Sequence, residues 1–126
     1  MSQFKYVNVV SVNVQDWERA KKFYQDILDW PVAWHDDQIG WMEFGKDEEA
    51  HIAINRWNGP EPVPPKDGGA TPVLLVDDAY ETTKNLRAAG VKCDEVISIP
   101  GVITYGTFYD PEGNRFQFVS SAPPPA

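Results

Sequence analysis

Few side chains in this chain could carry chemistry, and their spacing restricts what it could be. His35 and His51 are the two histidines. Their imidazoles titrate near neutral pH and bind borderline metals. With an acid such as Glu43 they could in principle hold a divalent ion. They fall in different strands, however, and no ligand spacing links them. The preferred reading makes His51 a hydrogen-bonding side chain and His35 a surface one. His51 has the intrinsic pKa of a general acid or base, which a single histidine does not establish. Asp110 and Glu112 are close carboxylates, but they lie in Asp110-Pro111-Glu112-Gly113-Asn114, whose turn chemistry accounts for them. Cys93 is the only cysteine, which excludes an intrachain disulfide and a cysteine-based zinc site. No glycine-rich phosphate loop or nucleophile elbow occurs. The aromatic residues remain. Trp34, Trp41 and Trp57 lie in or beside strands of the first half. An indole on a sheet face is a stacking surface for planar rings and cations, although large aromatics more commonly fill cores. At least one of these three is expected to touch a ligand.

The elements that position these residues follow from periodicity. Lys5 to Val14 is rich in β-branched residues and predicts a strand. Asp16 is the expected N-cap of a helix running to about Leu28, with Ala20, Phe23, Tyr24 and Ile27 as its buried face. Arg19 is not the Glu or Gln of a capping box. Pro31 blocks continuation. Strands are predicted at Val32 to Asp36, Ile39 to Phe44 and His51 to Arg56. Residues 58–69, with four prolines and three glycines, form a connector. The pattern then restarts. Thr71 to Val76 is a strand, Asp78 an N-cap, and Ala79 to Ala89 a helix closed by Gly90. Val91 to Ile99, Ile103 to Tyr109 and Arg115 to Ser120 are strands. Residues 122–126 are a loose Pro-rich tail.

A shift of 62 residues lays Val14 on Val76, Asp16 on Asp78 and Lys22 on Lys84. Each half reads strand, capped helix, three strands. Neither half could bury its sheet face alone, so a single domain over residues 1–121 is expected, with module one at 4–57 and module two at 70–121. The length of 126 residues suits one domain. The formal net charge of −8 repels phosphate backbones, so nucleic acid is not an expected partner. No apolar run approaches a membrane span, and Met1 to Val14 lacks a signal pattern; a cytoplasmic location is expected.

Val12-Asn13-Val14-Gln15-Asp16, followed by Ala20, Phe23-Tyr24 and Leu28, resembles the opening motif of the vicinal oxygen chelate superfamily. That group includes glyoxalases, extradiol dioxygenases and bleomycin-resistance proteins. Val76-Asp77-Asp78, Leu86 and Ala89-Gly90-Val91 match in the second half, and Asp110-Pro111-Glu112-Gly113-Asn114 is similar to the superfamily's closing turn. The resemblance implies an α+β fold of two βαβββ modules, whose curled mixed sheets form a ligand cleft, and commonly a homodimer.

Strand parity then assigns faces. Val10, Val12, Val14, Ile52, Ile54, Pro72, Leu74, Val76, Phe116 and Phe118 are expected beneath the helices. Val9, Ser11, Asn13, His51, Ala53, Asn55, Thr71, Val73, Arg115, Gln117 and Val119 face the cleft, provided no bulge intervenes. The resemblance places the metal ligands of metal-dependent members at Val9, Ala53, Thr71 and Gln117. Of these only Gln117 is a plausible ligand, so the usual metal quartet is expected to be missing, and no cofactor is implied. The resulting expectation is a small-molecule binding protein of the drug-sequestering type. Its ligand, aromatic or cationic, would meet Ser11, Asn13, Trp34, Trp41, His51, Asn55, Trp57, Thr71 and Gln117. The stretch from Gly59 to Pro65 would form a stiff rim. Two alternatives stay open: a lyase or dioxygenase with an atypical site, and a partner-binding module with a vestigial cleft.

Overall fold

The computed structural model describes residues 2–3, 5–57 and 70–121. The expected connector, rim and tail, and the start of module one at residue 4, lie outside the described residues. Two compact units are present, dividing after residue 64. The α+β class and the two mixed sheets are as expected.

The first unit contains β1 (Val9–Val14), α1 (Trp17–Lys21), a π-helical continuation (Lys22–Ile27), β2 (Val32–Asp36), β3 (Trp41–Phe44) and β4 (His51–Arg56). Its sheet has the order β1-β4-β3-β2, with β1 parallel to β4 and the other pairs antiparallel. Asp16 caps α1 by accepting the Arg19 N–H at 3.1 Å. Phe23 and Tyr24 are buried as expected, but Ile27 is 40% exposed. The helix explains the difference: Leu28 N–H bonds back to the Phe23 carbonyl, five residues away. In that wider coil a four-residue step no longer completes a turn, so Ile27 swings off the buried stripe. The buried face packs on the sheet, with the Tyr24 ring stacked 5.6 Å from Phe44 and Trp30 on Phe44 at 6.1 Å.

Three strands start later than expected, β1 and β3 in this unit and, in the second, the strand expected over Thr71 to Val76, which spans only Val73–Leu75. β1 begins at Val9, and residues 5–8 are exposed. β3 begins at Trp41 because the turn takes Ile39 and Gly40. The Asp36 carboxylate accepts the Gln38 and Ile39 N–H groups, and Gly40 adopts φ +80°. That conformation favours glycine.

The second unit contains β5 (Val73–Leu75), α2 (Ala79–Ala88), β6 (Lys92–Cys93), β7 (Ile97–Ile99), β8 (Ile103–Tyr109) and β9 (Arg115–Ser121). The sheet order is β5-β9-β8-β6, with β7 also on β8. β5 is parallel to β9. Asp78 caps α2 by accepting the Tyr80 and Glu81 N–H groups. The strand expected over Val91 to Ile99 is broken in two. Arg87 reaches the carbonyls of Cys93 and Asp94 there, and the chain bulges by one residue between Cys93, paired with Phe108, and Ile97, paired with Tyr105. Phe116 and Phe118 are core, as parity requires, and Phe108 stacks on Phe116 at 5.1 Å. Gly106 makes this packing possible. A Cβ there would lie 2.5 Å from the Phe118 ring and 3.0 Å from Thr83 Oγ1. The closing turn is tied internally: Asp110 Oδ1 accepts the Glu112 and Asn114 N–H groups, and Oδ2 accepts the Asn114 amide at 2.7 Å.

Candidate functional site

On the first sheet, the face away from the helix collects the side chains that could meet a ligand. Cross-strand register places Ser11 beside Ala53, Ala53 beside Glu43, Asn13 beside Asn55, and Asn55 beside Trp41. Parity therefore holds for β1 and β4. Asn55 Nδ2 donates to Asn13 Oδ1 at 3.1 Å, joining the two amides across the strands. Ala53 is fully buried and Ser11 exposed.

Trp34 joins this face through a bulge. Val32 pairs with Phe44 and Trp34 with Glu43, so β2 carries one residue more than β3 at that point. Without it Trp34 would fall on the core side. His35 pairs with Met42 and so lies on the side opposite Glu43. It is exposed, 3.6 Å from Asp37. His35 and His51 therefore do not converge. Trp57 follows β4, and its N–H donates to the Val14 carbonyl at 2.8 Å, half-buried at the end of the sheet.

The centre of the face is Glu43, a residue the sequence reading considered only as a metal ligand. Its side chain is 12% exposed. Trp41 Nε1 donates to Oε1 at 3.0 Å, and His51 Nδ1 lies 2.7 Å from Oε2. Trp34 stands beside it as its partner across the strands. Burial pushes the Glu43 carboxyl up, but the bonds from His51 and Trp41 outweigh it and hold the group below its ordinary range. His51 Nε2 lies 2.9 Å from the Lys46 carbonyl. Both ring nitrogens thus face acceptors, which calls for a doubly protonated ring beside a carboxylate. The Glu43 bond, followed by the Lys46 carbonyl, raises the His51 pKa accordingly. Gly45, at φ +136°, leaves room for this ring: a Cβ there would stand 2.6 Å from His51 Cδ2. The signal for Glu43 was available, since it alternates with Trp41 along one strand.

On the second sheet, Gln117 lies on the face away from the helix, as parity requires; β5 begins only at Val73, and Thr71 precedes it. Thr71 Oγ1 accepts from Arg115 Nε at 3.1 Å and Nη2 at 3.0 Å. Gln117 Nε2 donates to Thr107 Oγ1 at 3.3 Å. Among the described residues no group of three His, Cys, Asp or Glu could hold a metal. The four positions implied for a metal do not fit one. Val9 and Ala53 offer no lone pair, and a guanidinium already bonds the Thr71 oxygen, where it would repel a cation.

The sequence matches the profile of the Glyoxalase/Bleomycin resistance protein/Dioxygenase superfamily over residues 6–118, and the chain belongs to that superfamily. No curated protein matches it significantly. Among solved structures it is similar to TnmS3, an antibiotic-binding protein from Streptomyces sp. CB03234, with a TM-score of 0.78 and 22% identity over 97% of this chain and 100% of that one. It is similar to UcmS2 with a TM-score of 0.73 and 27% identity, covering 94% and 100% of the two chains. A lactoylglutathione lyase from Agrobacterium tumefaciens aligns with a TM-score of 0.68 and 14% identity, covering 94% and 96%. Likenesses below a quarter identity speak for the fold alone, so function rests on the site.

Proposed function

We infer that this protein is a small-molecule binder that holds a planar aromatic ligand on the helix-distal face of its first sheet. The carrying observation is the convergence of Trp41, Trp34 and His51 on Glu43. Both imidazole nitrogens, and one site on each carboxylate oxygen, are engaged within the cluster. A doubly protonated imidazole has no lone pair with which to take a substrate proton. The effect of the pair is to fix the Trp41 indole by its N–H beside Trp34, leaving the π-faces as the recognition surface. Trp34 is 48% exposed and is the first contact. Asn13, Asn55 and Ser11 give hydrogen bonds beyond the rings. The antibiotic-binding neighbour supports the reading. A cytoplasmic homodimer belongs to the same proposal, and sedimentation of the purified protein checks the dimer.

The test is a titration with a cationic acridine and a neutral anthraquinone, followed by tryptophan fluorescence. Saturable quenching is expected, and Trp34→Ala should weaken it about tenfold, the worth of one stacked ring. Absence of saturable binding, or metal-dependent turnover of a hemithioacetal or a catechol, would overturn the reading in favour of an inert face or an enzyme respectively.

A further inference from the structure

The break between β6 and β7 borders a cavity on the helix side of the second sheet, which the binding proposal above does not use. Its volume is about 320 Å³, and it is lined by Tyr80, Thr83, Lys84, Arg87, Glu95 and Val96. That volume is at the lower end of those in which proteins hold small ligands. The sheet itself separates the cavity from the face that carries Gln117. The four helix residues follow the three-and-four spacing of one stripe, so α2 forms one wall. The broken strand forms the other. Arg87 Nη2 ties the two together, donating to the Cys93 carbonyl at 3.4 Å, the Asp94 carbonyl at 3.2 Å and Glu95 Oε1 at 3.2 Å.

The lining is uneven in polarity. Thr83 is buried and spends its O–H on the Ala79 carbonyl at 2.9 Å, which leaves it and Val96 as the least polar part. Tyr80 is 55% exposed and presents its ring at the N-terminal end of the stripe. Of the two cations, Arg87 is ion-paired with Glu95 at 3.2 Å. Lys84 lies between Tyr80 and Arg87 on the stripe, and among the described residues it pairs with no carboxylate. One positive charge thus stands uncompensated in the cavity of a chain whose net charge is −8.

We propose that this cavity is a second binding site, for a small aromatic carboxylate, with the carboxylate on the Lys84 ammonium and the ring against Tyr80 and Val96. The charge count favours a monoanion: Lys84 offsets one negative charge, and a second would meet Glu95 with its attraction to Arg87 already spent. An ammonium on a flexible stem accepts an oxygen from many directions. Orientation and selectivity therefore fall to the ring, which Tyr80 meets with its π-face.

The probe is naphthalene-2-carboxylate, compared with the neutral naphthalene-2-carboxamide by amide-resolved NMR titration of the full chain at low ionic strength. The carboxylate should move the amide signals of Thr83, Lys84, Glu95 and Val96. At those signals it is expected to bind about fivefold more tightly than the carboxamide, the worth of one exposed ion pair. Lys84→Gln should bring the two within about twofold, and Tyr80→Ala should weaken both about fivefold, the worth of one ring contact. Lys84 and Tyr80 are exposed, so both variants should fold, and their circular dichroism checks this. Binding to the aromatic face of the first sheet would instead move the amides of Trp34 and Trp41, and Trp34→Ala should weaken that signal alone, so the two sites are read apart. Silence of the four cavity amides with both probes, equal affinity of the two probes there, survival of the preference in Lys84→Gln, or unchanged affinity in Tyr80→Ala would each overturn the proposal.

Discussion

Glu43 and Thr107 occupy the same place in their two sheets, Glu43 paired with Ala53 and Thr107 paired with Gln117. Glu43 gathers two indoles and an imidazole, whereas Thr107 accepts a single amide. The neighbours diverge in the same way. His51 and Arg115 both open the last strand of their unit, but one is locked to a buried acid and the other rests on a threonine. Asn13 and Asn55 form an amide pair where Leu75 and Val119 present hydrocarbon. Backbone order is thus repeated while the helix-distal faces carry different chemistry. The two faces therefore offer different chemistry on a repeated backbone.

The comparison is broken most severely at Glu43. Glu43→Ala leaves an imidazolium and the Trp41 N–H without their shared acceptor, and should cost about 3 kcal/mol. Thr107→Val, at the equivalent place, should cost about 1 kcal/mol. Chemical denaturation of the two variants gives both values, and equal costs would dissolve the distinction between the faces. The pair also predicts a pH profile. His51 is raised above its ordinary 6.5, so its contribution is complete below that value and fades as pH climbs through the raised pKa. Glu43 is lowered below its ordinary 4.5, so its contribution is complete above that value and fades as pH falls through the lowered pKa. This pair's contribution should therefore be flat between those two ordinary values and decline on either side. Glu43→Gln should flatten most of the alkaline decline, leaving the smaller part owed to the Lys46 carbonyl.

Gly106 sharpens the contrast on the buried side. It pairs with Phe118, where the first unit pairs Met42 with Ile54. One sheet divides its volume between two medium side chains, and the other uses a ring against no side chain. Gly106→Ala should cost about 2 kcal/mol, since a methyl would enter the Phe118 ring with Thr83 behind it. A thermal melt checks this. Gly106→Ala combined with Phe118→Leu should recover part of the loss, because the smaller side chain vacates that space. No recovery would place the strain in the backbone.

What the sequence made legible follows the range of the physics involved. The caps at Asp16 and Asp78, the Asp110 turn and the parity of β1, β4 and β9 are local, and they read correctly from residue type and alternation. Trp34 was chosen for its ring, but its place beside Glu43 depends on a bulge that no residue type in Val32–Asp36 announces. The break between β6 and β7 depends on Arg87 reaching back from a helix, a contact without a local signature. Ile27 followed the α-helical period, and the π-helical turn changed that period. The bond between Thr71 and Arg115 joins residues 44 positions apart. Local hydrogen bonding and side-chain alternation are written in neighbouring residues. Bulges and long-range polar pairs are settled by which distant groups meet.

The helix caps are the counterpart to the sheet faces, because here the two units should respond alike. Asp16 and Asp78 both hold extended backbone and both accept helix N–H groups, Arg19 in the first unit, Tyr80 and Glu81 in the second. Both carboxylates also stand at the positive end of a helix. α1 is short and passes into a wider coil, while α2 runs regularly for ten residues. A cap satisfies first-turn donors, however, and these exist whatever follows the first turn. Asp16→Ala and Asp78→Ala should therefore each cost about 1 kcal/mol, with Asn at either place restoring most of it. Urea denaturation of the four variants measures this. Similar costs would mean that the repeat preserved local backbone chemistry while the faces diverged. A difference above about 1 kcal/mol would mean that the caps, too, have taken separate roles.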